Sequence, residues 1–185
     1  MKLKAAAAAL VVGGLVACNS AEKQADATFA QPSAETNAAA REANASHVAE
    51  VTFDKGSFVL TETSRAALTE LVRQASATGK IDDVKVLAFA DAAYPSDAKK
   101  ELSKGEQDLA KKRAEAISTF LKSELKVGDV DTYNMAERPN AIQKLVNSPE
   151  ARMKRSLENA GVTSNEGKSL FGKTSRAVVM VMLNE

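Results

Sequence analysis

A few residue types and spacings in this chain could carry chemistry. Gly161 to Ser169 closes on Gly167-Lys168-Ser169, the ending of a phosphate-cradling loop. That loop needs four residues between its glycines for the backbone N–H groups to form a cradle, and here five intervene. Ser96-x-x-Lys99 and Ser123-x-x-Lys126 each place a lysine base one helical turn from a serine nucleophile, and Lys173-Thr174-Ser175 follows downstream. No Ser-x-Asn completes that proton relay. The single His and single Cys exclude a disulfide framework, a Cys/His zinc cluster and a two-histidine site. A Ser/His/Asp relay would have to run through His47, which reads as a linker residue without rigid support. Carboxylate pairs for glycoside hydrolysis follow no spacing rule. The run from Lys99 to Glu115, with Asp108/Lys112 and Lys111/Glu115 four apart, reads as a solvated helix face. No enzyme, no cofactor and no metal is expected.

The elements that must position any site begin after an address. Lys2 and Lys4 precede an uncharged run from Ala5 to Val16. It is shorter than the ~20 residues a membrane span needs, and it has the layout of a secretory signal. Leu15-Val16-Ala17-Cys18 resembles a bacterial lipobox, which makes Cys18 the expected site of acylation and the mature N-terminus. Several acyl chains, at about 0.8 kcal/mol per buried methylene, anchor stably where one does not. Asn19 rather than Asp follows the Cys, and in lipoproteins of this kind that favours the outer membrane.

Residues 18–47 are expected to form a flexible, Ala-rich tether. Through Ser46 they hold ten Ala, with Phe29 the one large apolar side chain. Such a composition buries too little surface to offset ordering entropy. Over the whole chain, 185 residues indicate one domain, and 25 Lys+Arg against 24 Asp+Glu give no global attraction to nucleic acid.

From Val48 the periodicity changes. Val51-Thr52-Phe53 predicts a strand, and Asp54-Lys55-Gly56-Ser57 a turn. Thr61 or Thr63 caps a helix carrying Leu68, Leu71, Val72 and Ala75, closed by Gly79. Asp83 to Phe89 is a strand apolar on both faces. A second helix spans about Gln107 to Leu125, with Leu109, Ala110, Ala114, Ile117, Leu121 and Leu125 on one stripe. Asp131 to Met135 is a weak strand. Ser148-Pro149-Glu150 starts a further helix, ended by Gly161, and Ala177 to Leu183 is the last strand. The order is βαβαβ, a helical piece, then β.

Together these segments resemble the OmpA-like peptidoglycan-binding domain, in the lipid-anchored form represented by the peptidoglycan-associated lipoproteins. The resemblance rests on Val51-Thr52-Phe53-Asp54-x-x-Ser57-x-x-Leu60-Thr61, on the strand ending at Asp91 and on Leu109-x-x-x-Arg113-Ala114-x-x-Ile117-x-x-x-Leu121. Tyr133-x-x-x-Glu137-Arg138-Pro139 and Arg176 complete it. It implies an α+β fold over residues 48–185: a two-layer βαβαβ-β sandwich with a mixed sheet and a helical insert at 140–173. It implies that Asp91 and Arg113, with Leu109, bind the diaminopimelate of a peptidoglycan stem peptide. The head of that residue carries an ammonium and a carboxylate on one carbon, which suits an acid beside a two-donor guanidinium. Ala88-Phe89-Ala90 and Glu106 stand where the family has Gly-His-Thr and often Asn.

The implied protein is a lipid-anchored wall binder in the outer membrane, its domain facing the periplasm. The alternative is an OmpA-like interaction module that has lost the wall ligand and contacts an envelope protein partner, with the insert as its docking face.

Overall fold

The computed structural model describes residues 31–92, 101–137 and 175–184. Helix α1 covers Ala34–Glu42, strand β1 His47–Thr52, helix α2 Glu62–Thr78 and strand β2 Ile81–Ala88. Helix α3 covers Lys104–Ser123, strand β3 Val130–Asn134 and strand β4 Arg176–Leu183. The fold is α+β with a mixed four-stranded sheet in the order β1-β4-β2-β3. β4 runs antiparallel to β1 and to β2, with Val51 opposite Ala177 and Val86 opposite Val179. β2 and β3 are parallel, with Ala88 opposite Asn134. The central place of β4 explains why its sequence is apolar on both faces: Arg176 to Val181 are buried in unbroken succession.

Each helix starts where a hydroxyl can cap it. Thr61 accepts the N–H of Ser64, and the Ser64 hydroxyl donates in turn to the Thr52 carbonyl, which ties the start of α2 to the end of β1. Ser103 accepts the N–H of Glu106 at the start of α3. One face of the sheet offers Val51, Val84, Val86, Ala88, Ala177, Val179 and Val181 to Leu68, Leu71 and Ala75 of α2 and Ala114, Ile117 and Leu121 of α3. Leu68, Ile117 and Leu121 are fully sealed from water, and each such burial contributes about 2 kcal/mol.

The opposite face corrects the expectation of a flexible tether reaching His47. Residues 34–42 form a helix that lays Ala39 and Ala40 against Leu87, Phe89, Val178 and Met180. The two clusters use alternate residues of the same strands, so α1 lies across the sheet from α2 and α3. The Ala-rich composition that reads as linker is what permits this close approach, because a helix face of methyl groups sits flat on a sheet. Glu50 holds it there. Its Oε1 accepts the Thr36 hydroxyl at 2.6 Å and the Ser33 N–H at 3.1 Å, and its Oε2 meets Arg176 Nη1 at 2.7 Å. Burial opposes ionisation of Glu50, but the Thr36 hydroxyl, the Ser33 N–H and Arg176 outweigh it and hold the carboxyl below its ordinary value.

His47, expected in the linker, opens β1, with its Nε2 3.3 Å from Thr78 Oγ1. Among the described residues, its Nδ1 is the one buried side-chain nitrogen or oxygen without a hydrogen-bond partner. The signal, Cys18, the Ser96-x-x-Lys99 pattern, the Ser148 helix start, the Gly161–Ser169 loop and the 140–173 insert lie outside the described residues.

Replacing Glu50 by Ala leaves Arg176 without this carboxylate and α1 without its clamp. The expected loss is about 3 kcal/mol of unfolding free energy. Amide exchange over 34–42 should accelerate more than exchange over 62–78. Equal acceleration of both helices would show that α1 is not separately clamped.

Candidate functional site

The site forms where three chain crossings meet at one end of the sheet. Asp91 follows the end of β2, Arg113 sits midway along α3 and Ser175 immediately precedes β4. Arg113 belongs to the buried stripe of α3, beside Ala110, Ala114 and Ile117. A cation there is tolerated only if its donors are met. Arg113 Nε donates to the Ser57 carbonyl at 2.8 Å, and Nη1 donates to the Phe89 carbonyl at 2.9 Å. Nη2 donates to the Asp54 carbonyl at 3.3 Å and to Asp91 Oδ1 at 2.6 Å. The guanidinium carbon also lies 5.1 Å from the centre of the Phe53 ring. The side chain of Arg113 is 0% exposed and that of Asp91 9%. Among the described residues, one N–H of Nη1 has no acceptor.

Asp91 is held as fully as its partner. The Ser175 hydroxyl donates to Oδ1 at 2.5 Å, and the Gly56 N–H donates to Oδ2 at 2.5 Å. Gly56 has φ +73°, a conformation that glycine adopts without cost. Ser175 has φ 74°, where a side chain is strained. Its N–H donates to the Ala90 carbonyl and its own carbonyl accepts from Phe53, so the strained residue staples β1, β2 and β4 together. Burial works against ionisation of Asp91, but the Ser175 hydroxyl, the Arg113 guanidinium and the Gly56 N–H prevail and hold its carboxyl below its ordinary value. Two acceptors' worth of Oδ1 are filled. Among the described residues Oδ2 carries one donor, which leaves it a second lone pair, and the Asp91 side chain is 9% exposed.

The structure brings Asp91 and Arg113 together as an ion pair, with the guanidinium turned inward onto protein acceptors rather than open to a ligand carboxylate. Leu109 lies one turn before Arg113 on α3, half-buried and outside the core clusters. Glu106, on the same face, is turned to the site by a different route. Its Oε2 accepts the N–H groups of Asp91 at 2.8 Å and Ala92 at 3.2 Å. Ala88, Phe89 and Ala90 contribute through the backbone: Phe89 and Ala90 supply carbonyls, while their side chains fill separate clusters. Sequence reasoning missed Ser175 and Gly56. The only signals were a turn-type Asp54-Lys55-Gly56-Ser57 and a polar residue just before the last strand. Among the described residues no cluster of His, Cys, Asp and Glu is fit to hold a metal. The arrangement can accept a cation's hydrogen bond on a carboxylate that stays ionised.

Comparison with known proteins gives a family. The sequence profile described as the OmpA family matches residues 52–147. The peptidoglycan-associated lipoprotein from Burkholderia pseudomallei is similar in structure, at 18% identity over 72% of this chain and 89% of that one, with a TM-score of 0.43. The OmpA-like domain of FopA1 from Francisella tularensis is similar at 14% identity over 75% of each chain, with a TM-score of 0.41. No curated protein matches.

Arg113→Lys keeps the charge but loses the planar fork that serves three carbonyls and a carboxylate. The expected cost is about 3 kcal/mol of stability, read by urea unfolding. Because the folded state lowers the Asp91 carboxyl, the stability it contributes is complete above its unfolded pKa, ~3.9, and drains away as pH falls through the folded value. Asp91→Asn should therefore flatten the fall in stability below about pH 4, with Glu50 and Glu70, whose carboxyls are also held below their ordinary value, among the groups that supply the slope that remains. An unaltered acid limb in this variant would show that Asp91 is not the group being titrated.

Proposed function

The chain belongs to the OmpA family, and from that premise we propose that it is a non-enzymatic lipoprotein binding peptidoglycan non-covalently, linking the outer membrane to the cell wall. Asp91 accepts the ammonium of the diaminopimelate in the stem peptide through the open lone pair of Oδ2. Arg113 supplies the opposite charge of the clasp and keeps that carboxylate ionised and aimed. Leu109, one turn away, offers apolar contact to the methylene chain. The observation that supports this reading is the buried pair at 2.6 Å, whose acid alone reaches the surface.

In the same reading Cys18 carries the acyl anchor, and the residues between it and α1 span the gap from the membrane to a domain in the periplasm. No helix among the described residues is long and apolar enough to cross a membrane.

A second reading is favoured by the complete burial of Arg113, whose donors are mostly answered by backbone carbonyls. On that reading the protein is an envelope interaction module that has lost the wall ligand. Co-sedimentation with purified sacculi separates the two. The first expects the wild-type protein to pellet with sacculi, and Asp91→Asn, checked to be folded by circular dichroism at neutral pH, to bind about 30-fold or more weakly. Folded wild-type protein that stays in the supernatant selects the second. Cys18→Ala should move the protein from the membrane fraction to the soluble one. A variant that still fractionates wholly with membranes would refute the anchor.

A further inference from the structure

Among the described residues, two large apolar side chains stand exposed, and they are neighbours: Phe58 at 43% and Val59 at 63%. A single exposed apolar residue needs no account, but an adjacent pair beside a groove does. The backbone that carries them is pinned. Ser57 Oγ accepts the Val59 N–H at 3.1 Å, the Ser57 carbonyl accepts from Arg113, and Thr61 caps α2 just beyond. Phe53 and Leu60 on either side belong to the core, so Phe58 and Val59 are held outward on a fixed turn. They form one wall of a groove of about 280 Å³ between this turn, the first turn of α2 and the C-terminal half of α3, with Leu60 and Phe120 also lining it. Its volume lies near the small end of ligand pockets, ~300–1,000 Å³, and seats a large apolar side chain.

The charges around the groove say what accompanies that side chain. Arg65 places its guanidinium carbon 5.1 Å from the centre of the Phe120 ring, and Lys112 places Nζ 5.4 Å from the centre of the Phe58 ring. Both cations are exposed. Lys111 and Glu115 pair at 4.0 Å on α3, but among the described residues neither Lys112 nor Arg65 has a carboxylate within pairing distance. The rings therefore fix two cations at the groove without cancelling their charge. Glu124, the C-cap of α3, is the one acid that lines it among the described residues, so the balance is positive.

We propose that this groove docks a protein segment carrying a leucine- or phenylalanine-sized anchor flanked by carboxylates. The anchor fills the groove against Phe58, Val59 and Phe120, and its acids meet Lys112 and Arg65. Charge complementarity of this kind supplies specificity and speeds encounter, and the pinned turn leaves little to be ordered on binding. A bilayer surface would leave such a concavity empty, whereas a peptide side chain fills it. None of Asp91, Glu106, Leu109 and Arg113 lines the groove, and the proposal stands apart from the wall-binding reading.

The test selects short random peptides on the immobilised full chain and measures the enriched sequences by fluorescence polarisation. The expected enrichment is for Leu or Phe beside Asp or Glu, with affinity that falls as salt rises. Val59→Asp, at an exposed position, should weaken these peptides by about tenfold or more. In a fresh selection, Arg65→Glu combined with Lys112→Glu should turn the enrichment from acidic to basic peptides around the same anchor, a gain that damage to the fold would not produce. Enriched peptides without acids, or acidic peptides that bind wild type and both variants alike, overturn the proposal. So does a selection that enriches nothing. Vesicles of phosphatidylglycerol and phosphatidylethanolamine are mixed with the Cys18→Ala chain in parallel. Flotation with them that Val59→Asp abolishes would assign the face to a membrane and overturn peptide docking.

Discussion

Everything at this end of the domain depends on one buried guanidinium. Arg113 carries a permanent charge into a stripe of Ala and Ile, and water cannot follow it there. Its planar donors must be answered by protein, and they are answered by three carbonyls and one carboxylate from segments far apart in sequence: Asp54 and Ser57 after β1, Phe89 and Asp91 after β2. A neutral side chain of similar volume would pack this position at lower desolvation cost. What it could not do is fix where the turn after β1 and the exit from β2 lie relative to α3. The charge makes those positions mutually obligatory, because displacing any one of them leaves an unmet donor in a dry place.

The other face of the sheet is organised by a second buried arginine in the same manner. Arg176 opens β4 and meets Glu50 on β1, whose other oxygen caps the helix that crosses that face. Both guanidinium groups therefore join a strand end to the polar start or turn of a neighbouring segment, one on each side of β4. Between them, Ser175 occupies a left-handed backbone conformation that a Ser adopts only under constraint. Its hydroxyl goes to Asp91, its N–H to the Ala90 carbonyl, and the next residue begins the Arg176 pairing. The strain is held because both sides of the residue are over-determined.

How far the sequence showed this in advance follows from what each element is made of. α2 and α3 were legible because Leu68, Leu71, Ile117 and Leu121 recur at the helical period and Thr61 marks a start. β4 was legible because it is apolar on both faces and so had to be central. α1 was not, since a face of Ala methyls gives no hydrophobic period; its docking depends on Glu50 and the sheet, which lie outside its own sequence. Asp91 and Arg113 were reached through resemblance and not through spacing, since contacts between residues 22 apart leave no periodic trace. Glu106 misleads in an instructive way. Ser103-Lys104-Gly105-Glu106 has the form of a capping box, in which the acid reaches back to the N-cap N–H. Here Ser103 makes its half of that arrangement, and the acid's oxygen instead receives the N–H groups after β2.

That diversion joins the fold to the site. A carboxylate used on its own helix start would have stabilised α3 alone. Used on Asp91 and Ala92, it orients the backbone that carries the acid of the clasp, while Gly56, Ser175 and Arg113 orient the carboxylate itself. Three separate segments, the turn after β1, α3 and the start of β4, thus converge on Asp91 at the end of β2 before any ligand is present, so little ordering entropy would remain for binding to supply. The same convergence works in reverse. On the proposed reading, a cation seated on Asp91 Oδ2 would bind only where the turn after β1, the end of β2, α3 and the start of β4 are all in place. By linkage it would stabilise all four together, and tension applied to the ligand would be carried into the central strand of the sheet rather than into a single loop.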